Sequence, residues 1–261
     1  MTEPGAGRRL PALSYFFPAH NEAANLRGLV EEALGTLPTL AETFEIIIVN
    51  DGSRDETPAI ADELAGANPE VRAVHHPTNL GYGAALRSGF AAARHDHLAF
   101  TDGDRQFKVA DLDGLIERLG QGDADAVVGY RIRRADPLVR TVYAKLYRLA
   151  NLIFFGLKVR DVDCACKLFT RASLEDVNVE SGGAFFSAEL LIKLRARGRR
   201  LAEVGVPHYP RTAGSPTGAK PQVVFRAVRD FWALRLRLWA APRRALSRGT
   251  PILGSEQPRT P

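Results

Sequence analysis

The stretch Phe44-Glu45-Ile46-Ile47-Ile48-Val49 is nearly continuous in apolar, mostly β-branched residues and stops at Asn50-Asp51-Gly52-Ser53. A strand that is apolar on both faces needs cover on both faces, which a parallel sheet flanked by helices supplies. The neighbouring patterns agree. Further strands are predicted at Leu13 to Phe17, Val71 to Val74, the residues before Asp102, and Ala124 to Val128. Helices are predicted at Glu22 to Leu34, Pro58 to Leu64, Gly81 to Ala93 and Leu112 to Leu119. In the first of them Ala23, Leu26, Val30 and Leu34 recur at helical spacing, and Pro58 falls in the first turn of the second. The order βαβαβαβαβ predicts an α/β fold with a mostly parallel sheet covered by helices, and ligands bound beyond the carboxyl ends of its strands.

The loops that carry chemistry fall at such ends. Pro18-Ala19-His20-Asn21-Glu22 follows the first strand, Asn50-Asp51-Gly52-Ser53-Arg54-Asp55 the second, and Asp102-Gly103-Asp104-Arg105-Gln106 the fourth. Asp102, Asp104 and Gln106 offer oxygen atoms at alternate positions around a glycine turn. Such a set suits a hard divalent cation, Mg2+ or Mn2+, that keeps open positions for a substrate's phosphates. Alone, the same pattern is a solvated acidic turn. With Glu22 and Asp51 on the same face of the sheet, it points to a nucleotide pocket with a metal.

Composition narrows the class. With 261 residues, 45% hydrophobic and 25% charged, the chain fits one large globular domain, alone or with a tail. The net charge of +5 comes mainly from late arginines between Arg195 and Arg244 and by itself says little about partners. The apolar window Leu149 to Leu157 is shorter than the roughly 20 residues a bilayer span takes, and Met1 to Arg9 has no apolar leader character. A cytoplasmic chain, peripheral on the membrane's cytoplasmic face, is the expectation. Cys164 and Cys166 are spaced for neither a relaxed disulfide nor a usual zinc half-site and read as buried thiols. His75, His76, His95 and His97 read as packing or surface residues.

Five segments together resemble the family 2 glycosyltransferases of GT-A fold, and among them the dolichol- or polyprenyl-phosphate mannosyltransferase-like branch. They are Pro18 to Glu22, Val49 to Thr57, Asn79-Leu80-Gly81-Tyr82-Gly83, Asp102 to Gln106, and Arg211-Thr212-Ala213-Gly214-Ser215. The resemblance covers residues 12–218 and implies a Rossmann-like sheet and an inverting hexosyltransferase. The donor it implies is a nucleoside diphosphate sugar, GDP-mannose first, and the acceptor a polyprenyl or dolichyl phosphate. UDP-glucose or another sugar nucleotide, with a lipid-phosphate or non-lipid acceptor, is the alternative within the fold. A non-catalytic sugar-nucleotide-binding subunit of a membrane complex is the alternative outside it.

By the same resemblance Pro18, Ala19, Asn21, Glu22, Asp51, Gly52, Asp102, Gly103 and Asp104 line the donor site, with Glu22 on ribose or base and Asp51 on the base edge. Glu22 can instead cap its helix, and Asp51 can instead form an Asx-turn. Asp102, Asp104 and Gln106 hold the metal, a Lewis acid on the departing diphosphate. Arg211 folds over that diphosphate, and Gly214, Pro216 and Gly218 form a flap closing on it. Arg131 and Arg140 bind the acceptor phosphate, an oxygen nucleophile that is already anionic and needs positioning more than a base. Asp163 is the acidic group expected near it, so Asp104, Asp163 and Arg211 form the catalytic set. Cys166-Lys167 and Arg105 depart from the family's pattern.

Two basic amphipathic stretches suggest a membrane surface as partner. Leu138 to Leu157 reads as a helix pair beside the acceptor site. Val223 to Leu246, within a helical tail at 219–248, sets Phe231, Leu234 and Trp239 against Arg226, Arg229, Arg235 and Arg237. Its apolar face could instead pack on the domain, on a second copy in a homodimer, or on a membrane subunit. Residues 1–11 and 249–261 are expected to be disordered, and nucleic acid is not an expected partner.

Overall fold

A computed structural model describes residues 9–132, 138–211, 221–241 and 246–253, with the side chains of 138–143 and 221 outside that description. In chain order the elements are β1 (Leu10–Ala19), α1 (Ala23–Leu40), β2 (Ala41–Asn50), α2 (Thr57–Ala67), β3 (Val71–His75), α3 (Tyr82–Ala92) and β4 (His97–Phe100). A 3-10 turn (Val109–Asp111), α4 (Leu112–Gly120), β5 (Ala126–Arg131) and α5 (Leu138–Phe155) follow. The remainder is β6 (Lys167–Thr170), α6 (Arg171–Leu174), β7 (Asn178–Val179), α7 (Phe186–Ala196), β8 (Leu201–Val206), α8 (Pro221–Ala240) and β9 (Thr250–Pro251).

Seven strands form one sheet in the order β3-β2-β1-β4-β6-β5-β8. The pairs β1/β2, β1/β4 and β2/β3 are parallel, as the alternating pattern predicts, and β5 also pairs in parallel with β8, a strand the pattern does not include. The chain leaves β1 towards β2 and β3 on one side and returns to β4 on the other, so the topological switch lies between β1 and β4. Phe16, Phe90, Phe100 and Phe169 make the packing that joins sheet to helices, with ring centroids 4.8 Å (Phe16–Phe90), 5.4 Å (Phe16–Phe100) and 5.5 Å (Phe90–Phe169) apart. A Cβ at Gly89 would lie 2.2 Å from the Phe16 ring, so α3 sits that close only because residue 89 has no side chain.

β6 is the departure from a purely parallel sheet. It runs antiparallel to β4 and β5, in register Phe100↔Lys167 and Val128↔Lys167. Lys167 therefore occupies the middle of the sheet, 1% exposed, its Nζ donating to the Cys164 carbonyl and standing 5.4 Å from the Phe100 ring centroid. Both cysteines are buried free thiols, as expected. Burial pushes Cys164 up to about 12, which leaves it protonated and unreactive.

Leu138 to Leu157 does not form two helices. α5 is a single helix to Phe155, ended at Gly156, whose φ of +64° an L side chain adopts poorly. The terminal boundaries shift as well: β1 takes in Leu10 and Pro11, and residues 250–251 pair with β7. Ile252 is buried and donates its N–H to the Val177 carbonyl, which explains why this end leaves the solvent. The expectations for residues 1–8 and 254–261 lie outside the described residues.

The strap formed by β9 rests on an ion pair inside α7. Glu189 and Lys193 are 2.8 Å apart with side chains almost wholly buried. Glu189 accepts from the N–H groups of Glu180 and Ser181, while Lys193 donates to the carbonyls of Asn178 and Arg248. Lys193→Met strands the buried carboxylate, and such losses cost about 3–5 kcal/mol. A urea titration is expected to show a midpoint lowered accordingly, while Lys145→Met on the exposed face of α5 should leave it in place.

Candidate active site

The loops after β1, β2 and β4 are held together by their own polar groups. Asn50 accepts from the Ser53 N–H three residues on (3.0 Å) and braces the turn, while the Asp51 carboxylate bonds His76, Leu80 and Gly81. Gly52 has φ +62°, and a Cβ there would lie 2.2 Å from the Thr78 carbonyl carbon, which fixes glycine at this turn. Asn21 also takes a left-handed backbone (φ +57°), accepts from the Arg54 N–H and donates its own N–H to the Ser53 hydroxyl. The first turn of α1 is served from the same loop, Thr57 accepting from Glu22 N–H and Asp55 from Ala23 N–H.

Glu22 is thereby released from capping. No side-chain cap bond is made at this position. Its carboxylate accepts from Asn25 (2.6 Å) and from Arg211 (3.3 Å), and burial raises its pKa. Arg211 donates its other nitrogen to Asp104 at 2.6 Å. One guanidinium thus joins the β1 loop to the β4 loop, contacting two of the carboxylates singled out in the sequence. The arm carrying it is laced to the acidic turn: Tyr209 N–H donates to the Gln106 carbonyl (3.0 Å) and the Gln106 side-chain amide donates to the Tyr209 carbonyl (3.2 Å).

Asp104 accepts from Gln106 N–H at 3.0 Å, and Tyr82 on α3 donates to Asp102 at 3.0 Å. Gly103 allows the turn to approach β1, since a Cβ would stand 2.6 Å from the Pro18 carbonyl oxygen. Arg105, at φ +59°, turns away towards α1 and pairs with Glu32. Burial and the adjacent Asp104 push Asp102 up to about 7, with Tyr82, Lys167 and Arg131 pulling it back. Two neighbouring carboxylates that resist ionising together form a donor set a divalent cation fits, because the cation removes their repulsion. Asp102 and Asp104 would hold it. The Gln106 amide N–H is engaged with Tyr209, leaving only its carbonyl oxygen to serve as the third ligand. Among the described residues no group of three or more His, Cys, Asp or Glu side chains has metal-holding geometry, so phosphate oxygens and water would complete the shell, the usual arrangement for Mg2+.

Asp51 is almost fully buried and accepts from three donors: His76 Nδ1 (2.7 Å), Leu80 N–H (2.8 Å) and Gly81 N–H (2.9 Å). It braces the Asn79 to Gly83 loop, whose Tyr82 reaches Asp102. Glu22, Asp51, Asp102 and Asp104 are thus linked around the ends of β1, β2 and β4. On the other side of β4, Arg131 at the end of β5 forms a buried fork with Asp161 (2.6 and 2.9 Å). Asp163 is exposed, and its charge bears on Tyr82, Arg131 and Lys167. The side chain of Arg140 and the flap residues 214, 216 and 218 lie outside the described residues.

Sequence reasoning misses four participants. His76 reads as a packing residue, although its place right after β3 puts it near the β2 loop. Tyr82 stands inconspicuous inside a loop notable for its glycines. Asp161 lies two residues before Asp163 and shows no sequence sign of being the partner of Arg131. Lys167 is visible only as a departure from a pattern.

The chain belongs to glycosyl transferase family 2, whose family model matches residues 14–177. It is 36% identical over 207 residues to the glycosyltransferase AglD of Haloferax volcanii, covering 76% of this chain and 33% of that protein. It is 30% identical over 211 residues to a dolichyl-phosphate β-glucosyltransferase of Trichomonas vaginalis, covering 74% and 64%. A dodecaprenyl-phosphate galacturonate synthase of Rhizobium johnstonii shares 27% over 206 residues, covering 77% and 60%. The chain therefore spans between a third and just under two thirds of the length of these relatives. Glucosyl-3-phosphoglycerate synthase from Mycobacterium tuberculosis, solved with phosphoglyceric acid, has the same fold, with TM-score 0.67 at 19% identity over 85% of this chain and 79% of that one. The same enzyme has been solved with Mn2+ and UDP, TM-score 0.63 at 18% identity over 87% and 78%.

The raised Asp102 carboxyl has a thermodynamic consequence. A group harder to ionise folded than unfolded, where its ordinary value is about 4, withdraws stability as pH climbs from about 4 to 7. In metal-free buffer the melting temperature of the wild type should fall across that interval relative to Asp102→Asn. Mn2+ should recover the loss most at the alkaline end. Parallel melting curves for the two proteins at every pH would show that Asp102 titrates normally.

Proposed function

We propose that this chain transfers a hexosyl group, with inversion, from a nucleoside diphosphate sugar to a polyprenyl phosphate. The observation that carries the reading is the Glu22–Arg211–Asp104 bridge beside Asp102, at the topological switch of the sheet. A cation that already contacts two carboxylates is suited to exchange one of them for a diphosphate oxygen. Arg211 would then steady the charge that builds on the departing nucleotide. A divalent metal held by Asp102 and Asp104, with Gln106 as third ligand, would supply Lewis-acid help to the same leaving group.

Arg131 and Arg140 are the acceptor-phosphate candidates. Asp161 takes the Nε and one terminal nitrogen of Arg131, so the side chain is oriented before a ligand arrives. Asp163 is the acidic group proposed beside them. An acceptor that is itself a phosphate anion attacks without loss of a proton, so a positioned cation can replace a base. Pro18, Ala19, Asn21, Gly52 and Gly103 are read as backbone and turn positions that let the nucleotide approach.

Mannosyl from GDP-mannose is one reading of the donor; a UDP-sugar is the other. The relatives' names, a glucosyltransferase and a galacturonate synthase, favour a sugar other than mannose. A donor panel of GDP-mannose, UDP-glucose and UDP-N-acetylglucosamine with polyprenyl phosphate, with and without Mn2+ or Mg2+, should carry label into the lipid phase for one donor. Label confined to free sugar or to a water-soluble acceptor would sink the lipid reading. Asp104→Ala should abolish transfer in a protein that still folds; transfer retained would remove Asp104 from the catalytic set, whereas no transfer by the wild type with any donor would favour a non-catalytic sugar-nucleotide-binding subunit.

The membrane surface is the partner proposed for α5 and α8. No described helix is long and apolar enough to cross a membrane. The two pack through Phe154–Trp232 (5.0 Å) and Phe155–Phe231 (4.9 Å), and expose Ile153, Phe225 (71%) and Trp239 (77%) with Lys145, Arg148 and Arg226. Apolar rings ringed by cations suit an anionic lipid interface on the cytoplasmic side. Flotation with vesicles containing anionic lipid should be lost in Phe225→Ser/Trp239→Ser. Unchanged flotation of a folded variant would show that this face does not carry the membrane contact.

A further inference from the structure

Asp51 is the carboxylate that the transferase reading sets against the edge of the donor's base, and the choice of base inferred from its surroundings rests on that reading. An ionised carboxylate offers about four acceptor positions. Three are occupied: Oδ1 takes His76 Nδ1 at 2.7 Å and Leu80 N–H at 2.8 Å, and Oδ2 takes Gly81 N–H at 2.9 Å. One position, on Oδ2, remains.

His76 owes its orientation to a second contact. Its Nε2 lies 2.8 Å from the Ser88 hydroxyl on α3, and its side chain is 8% exposed. A carboxylate only accepts, so Nδ1 carries the hydrogen that Asp51 receives. In the neutral ring Nε2 is then the acceptor and Ser88 the donor. Ser88, His76 and Asp51 thus form a directed relay, and the ring cannot turn away from Oδ1 without breaking a bond at each end. Gly52 at φ +62° and Gly81 at φ +100° fix the backbone on both sides of it.

The pairing edges of the bases differ in what they ask of a carboxylate. Guanine presents two adjacent donors, a ring N–H and an exocyclic amine, and is matched by a carboxylate with both oxygens open. Uracil presents a single ring N–H between two carbonyls. Cytosine presents an acceptor nitrogen at that place, which a carboxylate repels. We infer that the Ser88–His76–Asp51 relay, by leaving one acceptor position on Asp51, makes this a uridine diphosphate sugar site, with His76 as a positioning residue that sets the choice of base.

Titration of the full chain with UDP, GDP and CDP in the presence of Mn2+, followed by calorimetry, tests this directly. UDP is expected to bind about tenfold or more tighter than either competitor, the scale of one hydrogen bond to a charged partner. His76→Ala should weaken UDP about tenfold and narrow the margin over GDP. His76→Asn, whose amide N–H can stand where Nδ1 stood, should restore both. Ser88→Ala tests the relay without emptying the ring's place and should narrow the same margin less. GDP or CDP binding as tightly as UDP overturns the inference and leaves the transferase reading standing. A margin unchanged in folded His76→Ala and Ser88→Ala removes the role of the relay. Binding of none of the three by the wild type overturns this inference, and failure of ADP and dTDP to bind as well overturns the nucleotide reading with it.

Discussion

Four carboxylates gather where three parallel strands end, and the cost of holding that negative charge together shapes the structure around it. Each is met by a different device. Asp51 is buried against two backbone N–H groups and an imidazole. Glu22 and Asp104 share one guanidinium. Asp102 has a phenol hydroxyl as its neighbour and is left with the least compensation, and it is the group pushed up to about 7. The remaining electrostatic demand is focused at one turn, where a cation from outside the chain would relieve it.

That concentration is possible because the sheet changes character across β4. On one side, β3, β2, β1 and β4 are parallel, and the loops beyond their carboxyl ends carry Glu22, Asp51, Asp102 and Asp104. On the other, β6 runs antiparallel between β4 and β5 and delivers the buried Lys167 to the centre of the sheet. Burial lowers the Lys167 pKa, while the acidic groups around it raise it. The Arg131–Asp161 fork stands at the end of the next strand. Two halves of different construction are spliced through a short strand whose first residue is charged.

The parallel half is legible in the sequence because its signals are local. Ile46-Ile47-Ile48-Val49 reads as a doubly covered strand whatever its neighbours are, and Asn50 to Ser53 reads as a turn. β6 is not legible: Lys167-Leu168-Phe169-Thr170 is short and opens on a lysine, which alone argues against a central strand. Its burial depends on the Cys164 carbonyl and the Phe100 ring, partners that only the fold supplies. The same division runs through the site. Asp102, Asp104, Glu22 and Asp51 sit in motifs, whereas the pairings of His76 with Asp51 and Arg131 with Asp161 join residues 25 and 30 positions apart. α5 reads as two helices in the sequence because its apolar residues spread beyond one narrow stripe, which a helix packed on α8 can also require.

The double hydrogen bond between Gln106 and Tyr209 has an implication for how such a chain can vary. It pins the residue just ahead of Pro210, so the stretch Pro207–Pro210 works as a ruler measured from the end of β8 to the arginine. One inserted residue there displaces the guanidinium by up to about 3.5 Å, enough to lose both Glu22 and Asp104. Length changes are therefore disfavoured upstream of Arg211, where spacing is metered against the acidic turn.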